Sequence, residues 1–264
     1  MKTDHRTTGP QDYGLRTTDY GPRVTCHASR VTVRAFTLIE MLAVIAIISI
    51  LAAMIFPITK AVNRNKAFSL AKTELANVES AIENYRSKHG SYPPDNPAHP
   101  YVPPYINQLY YELIGTTNNG LSYKTLDGSA FKAASAVQTT FTAVSGFVNC
   151  SKGADSDSGP VAVNFLKPGL KPSQVGKLPD NSDDLQKTRL LVCSVPWPAK
   201  DTLNYTPTGI LLPDPAANLN PFRYVSTNPT NNPKTFDLWV DIVVAGVTSR
   251  ICNWSQQPIK VSTP

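Results

Sequence analysis

Leu38 to Ile58, LIEMLAVIAIISILAAMIFPI, is a run of 21 residues with one charge, and it limits the fold of this 264-residue chain more than any other feature. About 20 consecutive apolar residues let an α-helix cross the hydrocarbon of a bilayer. On hydropathy alone the run is an uncleaved signal anchor. Glu40 asks for more than that. A carboxylate inside hydrocarbon costs about 2.5–3.5 kcal/mol on insertion scales, and such groups ordinarily have a partner. The run contains no Lys or Arg to serve. The expected partner is therefore another chain, the membrane interface, or a new charge such as a fresh amino terminus just upstream.

The 34 residues ahead of Ala35 are polar, hold Gly9-Pro10 and Gly21-Pro22, and lack hydrophobic periodicity. Their composition reads as disordered. A secretory signal places its apolar core before the cleavage site; here the apolar run follows the boundary. Six of the 25 basic side chains lie in residues 1–35, leaving 19 basic against 16 acidic for the rest. That balance is too mild and too scattered for a nucleic-acid surface. Charge does not orient the anchor either, since Arg23, Arg30 and Arg34 face Lys60, Arg64 and Lys66 across it.

Beyond Pro57 the pattern turns amphipathic. Phe68, Ala71, Leu75, Val78, Ile82 and Tyr85 repeat at spacings of three and four, one stripe of a helix that should bury against a sheet. Lys66, Lys72, Glu79, Arg86 and Lys88 fall on other faces, and Gly90 is a helix stop. The expected helix runs from Phe36 to His89. YPPDNPAHPYVPP, residues 92–104, has six prolines in thirteen residues and reads as extended loop.

In the remainder, Ile106, Leu109, Tyr110, Leu113 and Ile114 mark a helix ended by Gly115, while 129–148 is open between helix and strand. The stretch 151–187 is loop-like. TRLLVCSV (188–195), PFRYVS and KTFDLWVDIVV read as strands; in the last, Phe236, Leu238, Val240 and Ile242 alternate with Asp237, Trp239 and Asp241. Two or three antiparallel strands covering the stripe give an α+β domain, with the long helix on one face of a small C-terminal sheet.

No enzyme emerges from these residues. His5, His27, His89 and His99 lack metal spacing, and no nucleotide loop or nucleophile elbow is present. ADSDSG, residues 154–159, lacks the distal glutamate of a calcium loop. With Cys26 in the leader, Cys150, Cys193 and Cys252 allow at most one bridge, and Cys193 with Cys252 is the preferred pair because both border expected strands.

RAFTLIEML, residues 34–42, resembles the class III signal of type IV pilins and type II secretion pseudopilins. The resemblance implies that a prepilin peptidase cuts between Ala35 and Phe36 and methylates the new amine of Phe36. Glu40 would then be the fifth mature residue and Pro57 the twenty-second, where these helices commonly carry a kinking proline. Ala35, where glycine is usual, and the long leader are departures. GSYP after the helix and the sequence DPAANLNPFRY…FDLW…ICNW resemble a degenerate form of the major pseudopilin C-terminus. The likeness spans residues 35–93 strongly and 213–254 weakly.

In that subfamily the loop after FDL binds calcium. Hard cations need six to eight oxygens, and this loop offers Asp241 as its only carboxylate, with Arg250 nearby. The expectation is therefore no cofactor, with Asp241 as the weak candidate for calcium. The expected organisation is a leader 1–35, a transmembrane half-helix 36–58, an amphipathic half-helix 59–90 and a periplasmic or extracellular domain 91–264. The resemblance implies a subunit of a secretion pseudopilus. Its partners would be the peptidase/methyltransferase, further copies of the subunit, an inner-membrane assembly platform and lipid. It would start in the inner membrane and end in a filament. The alternatives are a type IV pilus subunit for adhesion or DNA uptake, and a monomeric anchored extracytoplasmic binding domain.

Overall fold

A computed structural model describes residues 36–96, 106–141, 144–152, 159–178, 183–197 and 219–261, the side chains of 54–61 excepted. Ala35, the leader with Cys26, His5 and His27, the proline-rich residues 97–105 with His99, most of ADSDSG and the start of DPAANL lie outside the described residues.

Helix α1 runs Leu38–His89, helical through Pro57. The chain divides into two units, 1–52 and 53–264. The described residues of the first form a single helical segment. In the second, the remainder of α1 buries the stripe foreseen in the sequence. Ala71, Leu75, Val78, Ile82 and Tyr85 are all buried, and Phe68 packs partly against the same core. Burying a leucine or isoleucine stabilises by about 1.5–3 kcal/mol relative to leaving it in water, so packing fixes this half of α1. Gly90, at φ +77°, ends the helix and donates its N–H to Arg86 O at 2.8 Å. That left-handed turn is one that residues with a Cβ adopt only with strain.

The stripe shares its core with an antiparallel sheet ordered β10-β9-β8-β7: β7 (Arg223–Val225), β8 (Asp237–Val244), β9 (Val247–Cys252) and β10 (Ser255–Lys260). Phe236, Leu238, Val240 and Ile242 face the core as expected. The sheet has four strands where two or three were anticipated. β9 and β10 escape a reading by hydrophobic alternation because Thr248, Ser249 and Arg250 interrupt one, and Gln256, Gln257 and Pro258 dominate the other. β8 and β9 form a two-residue hairpin, Val244 opposite Val247, whose turn residues Ala245 (φ 54°) and Gly246 (φ 77°) are both left-handed. That is the turn whose twist matches paired strands. β10 carries Pro258 and a register shift between Ser255 and Ile259.

Helix α2, Leu109–Ile114, forms where expected but starts only at Leu109 and stops at Gly115 (φ +80°). The ambiguous stretch resolves as both states, β3 (Phe131–Ala133) followed by α3 (Ala134–Thr140). With β1 (Thr116–Asn118), β2 (Ser122–Thr125) and β4 (Cys150–Lys152), β3 builds a second sheet ordered β3-β2-β1-β4, in which β1 and β4 run parallel. Its core is aromatic: Tyr111 stacks on Phe147 at 4.8 Å, with Phe141 and Tyr123 edge-on around them. β5 (Val175–Lys177), inside the stretch read as loop, pairs with β6 (Arg189–Leu191), which lies in the expected strand TRLLVCSV. The architecture is a long N-terminal helix with mostly antiparallel sheets, an α+β arrangement that fits a pilin-like protein.

Two buried acids lock α1 to the rest of the second unit. Glu74 Oε2 accepts the Ser194 N–H at 2.7 Å. Glu112, fully buried on α2, accepts from Tyr85 Oη at 3.0 Å, Val148 N at 2.8 Å and Asn149 N at 2.9 Å. Burial of its carboxyl outweighs these donors and holds it above the usual glutamate range. The segment after Gly90 is tied down by β7, since Tyr224 Oη donates to Pro93 O at 2.7 Å and Asp95 accepts from the N–H groups of Ser226 and Thr227.

Candidate functional site: the amino-terminal segment

The described residues of the first unit present their large apolar side chains outward. Leu38, Ile39, Ile45, Ile47, Ile48 and Ile50 are each more than half exposed, and Phe36 is 72% exposed. A helix apolar all round is not built to sit in water; it is covered by lipid or by other helices. Among the described residues no helix is long and apolar enough to cross a membrane. The described side chains of the apolar run stop at Ala53.

At the head of α1 stands a feature that the sequence reading passed over. Thr37 N donates to Glu40 Oε2 at 2.9 Å, Thr37 Oγ1 donates to the same oxygen at 2.8 Å, and Glu40 N donates back to Thr37 Oγ1 at 3.3 Å. This is a capping box, in which a Thr and a Glu three residues on satisfy the orphan donors of the first helical turn. The signal was legible as T-x-x-E ahead of an apolar run. It corrects the expectation that nothing nearby pairs with Glu40: the carboxylate has a hydrogen-bonded partner within its own turn, though no cation.

Residues 31–56 match the family model described as the prokaryotic N-terminal methylation motif. The chain carries a pilin-type, class III signal. No curated protein and no solved structure matches the chain. The match brackets Ala35, Phe36 and Glu40, stops short of Pro57 and takes in only the first four residues of the second unit. Phe36, Thr37 and Glu40 of this signal lie together at the exposed head of α1. Because Thr37 follows the Ala35-Phe36 junction, a cut there leaves both members of the capping box in the chain.

The other site residues lie far along the sequence, in the second unit. Asp241 is fully buried, and both its oxygens are taken by Arg250: Nε donates to Oδ1 at 2.9 Å and Nη2 to Oδ2 at 3.1 Å. The guanidinium carbon also lies 5.5 Å from the centroid of the Trp239 ring. β8–β9 pairing puts Asp241 directly opposite Arg250, so register makes the contact. A calcium ion here would have to displace a bidentate cation from one carboxylate, and the donor set does not fit it. Among the described residues, no group of three or more His, Cys, Asp or Glu side chains is placed to hold a metal.

Cys150, Cys193 and Cys252 are free thiols, so the Cys193–Cys252 pairing is not formed. Both border strands, as expected, but in different sheets. Cys252 ends β9 opposite Trp239, whereas Cys193 follows β6 and bonds through its N–H to Asn220 O. Burial pushes the Cys193 thiol up to about 12.

Proposed function

We propose that this pilin-like chain is a structural subunit of a type II secretion pseudopilus. It is held in the inner membrane with its C-terminal domain in the periplasm, then packed into a filament through its amino-terminal helix. The observation that carries the reading is the all-round exposure of an apolar helix head that holds one carboxylate, Glu40, beneath a methylation motif. Secretion rather than a pilus for adhesion or DNA uptake is supported by GSYP, FDLW and ICNW. The role is assembly rather than turnover, and no cofactor enters it. The partners are a prepilin peptidase/methyltransferase, further copies of the subunit, an inner-membrane assembly platform and lipid.

Hydrolysis of the Ala35-Phe36 bond frees the Phe36 amine, which is methylated afterwards, at the end of the helix that has the positive pole of its dipole. That amine is a cation in need of a carboxylate. Two unit charges about 4 Å apart attract by roughly 4 kcal/mol at an effective dielectric of about 20, before desolvation is subtracted. A mispaired charge is penalised more heavily than a matched pair is rewarded, so the amine of an arriving subunit and Glu40 of a packed one set register. Thr37 keeps Glu40 satisfied until then. The capping box favours a second reading, a monomeric anchored domain in which Glu40 only caps its helix.

Intact mass and N-terminal sequencing of membrane-extracted protein should give N-methyl-Phe36; a mature chain that retains Arg34 ends the pilin-type reading. Glu40→Leu should enter the membrane and be cleaved, yet fail to form filaments or block wild-type ones. Glu40→Gln keeps a capping acceptor without the charge and should fail likewise. Normal filament yield after shearing from both variants would leave Glu40 as a cap alone.

A further inference from the structure

We infer that the globular part of this chain rests on the surface of an anionic bilayer, through the tip of the β8–β9 hairpin and the basic groove beside it. The inference depends on reading Leu38–Ile58 as a membrane anchor. The tip is Val243-Val244-Ala245-Gly246-Val247, five residues without a polar side chain, and Ala245, Gly246 and Val247 are exposed. Hairpin turns in water ordinarily carry Asn, Asp, Ser or Gly. Val247, at the closing position, leaves 47% of its surface in solvent.

Beside the tip lies a groove of about 640 Å³ between α1, the hairpin and β10. Arg64, Lys72 and Lys260 line it, and no acidic side chain does. Among the described residues none of these three cations makes an ion pair. The Arg64 guanidinium carbon sits 5.6 Å from the centroid of the Phe68 ring, which keeps its charge at the groove wall. The chemistry is that of a site for anions flanked by an apolar wedge.

Its place along α1 identifies the occupant. The hairpin tip shares the groove with Arg64, Asn65 and Phe68, while the far end of β9 and the start of β10 meet Lys72, Ala76 and Glu79. The hairpin therefore climbs α1 with its tip at the end nearer the apolar run. Arg64 follows Ile58 by six residues, about 9 Å of helical rise. The headgroup layer adds roughly 5–8 Å to each side of the hydrocarbon, and long basic side chains reach back toward it. An apolar tip beside cations that make no ion pair among the described residues matches the outer headgroup layer of a bilayer containing anionic phospholipid. A soluble phosphate would leave the exposed Val247 without a role.

The test uses the full-length chain in nanodiscs of phosphatidylcholine alone or with about a third phosphatidylglycerol, read by hydrogen exchange. Each basic residue near an anionic surface contributes about fivefold in affinity. Amides of residues 245–247 should therefore exchange at least about tenfold more slowly in the anionic discs, and the effect should fade in high salt. Replacing Arg64, Lys72 and Lys260 together by Gln should bring the two discs within about twofold, whereas Lys124→Gln, an exposed cation elsewhere, should change nothing. Val247→Glu alters one exposed side chain and should also abolish the protection, which keeps the test decisive if the triple variant unfolds. Equal protection in both discs, protection reproduced by soluble glycerol phosphate, or protection that rises with protein concentration overturns the inference, the last in favour of a second copy of the chain. Alkaline carbonate extraction separates the two readings. A chain that resists extraction but ignores phosphatidylglycerol refutes the docking alone, and a chain that is released refutes the anchor and the docking with it.

Discussion

Replacing Arg250 by Met tests how the C-terminal sheet is held and whether it has any use for calcium. Asp241 has no exposed surface and is covered by a two-pronged guanidinium whose own side chain is 27% exposed. Removing one member of a buried ion pair costs about 3–5 kcal/mol, because the other charge remains buried and unpaired. The partial exposure of Arg250 places this pair near the lower figure. Loss of its contact with Trp239 adds roughly 0.5–1 kcal/mol. A total of about 3–4 kcal/mol corresponds to a fall of very roughly 10 °C in thermal midpoint for a domain of this size. The assay is urea unfolding of the full-length chain in detergent, followed by tryptophan fluorescence, since Trp239 and Trp254 lie edge to face 5.7 Å apart on this sheet. Adding Asp241→Asn should recover much of the loss, because no charge is then stranded. A loss below about 1 kcal/mol would refute the reasoning. So would a calcium-dependent rise in the wild-type midpoint, since only a metal bound to the folded state stabilises it.

Glu112, whose carboxyl is raised by burial, contributes stability that is complete below its unfolded value and lost as pH rises through its folded one. From pH 4 to pH 8, wild type should therefore lose ground steadily to Glu112→Gln; a gap that does not move with pH would sink the assignment. Gly115→Ala should cost about 2–3 kcal/mol in chemical denaturation, because φ is +80° and a Cβ would lie 2.9 Å from Leu126 Cδ1 and 3.0 Å from Val163 O. Iodoacetamide at pH 8 should leave Cys193 unmodified in the folded chain and label it after unfolding, as a buried thiol raised to about 12 requires; rapid native labelling would contradict that burial.

Those residues also show what the sequence could and could not say. The long helix was readable because its two halves obey different rules, one apolar throughout and one striped at 3.6 residues per turn, with a glycine where a left-handed residue is needed. β8 was readable from its alternation. β6 and β7 were readable inside the apolar runs TRLLVCSV and PFRYVS, whereas β1, β3, β4 and β5 are three residues long, too short for a period to register, and their pairing is a tertiary matter. Arg250 was visibly close to Asp241 in sequence, but only a two-residue turn between β8 and β9 sets them face to face. Thr37 and Glu40 are both in the sequence, but a neutral hydroxyl three residues from an acid does not read as its partner until the first helical turn brings them together. Burial of Glu112 and Glu74 had no sequence signal, because an acid on a helix reads as solvated until the partner donors are known.

The fourth strand of the C-terminal sheet has a consequence for the chain's life among copies of itself. An outermost strand with free N–H and C=O groups is a template onto which another molecule can zip. β10 denies that template: Pro258 has no N–H to offer, the ladder slips between Ser255 and Ile259, and Lys260 brings charge to the end. For any chain held at high local density, this blunts sheet-to-sheet growth through the β10 edge. Contact between copies on that side is then left to side chains rather than to the indiscriminate repeat of the backbone.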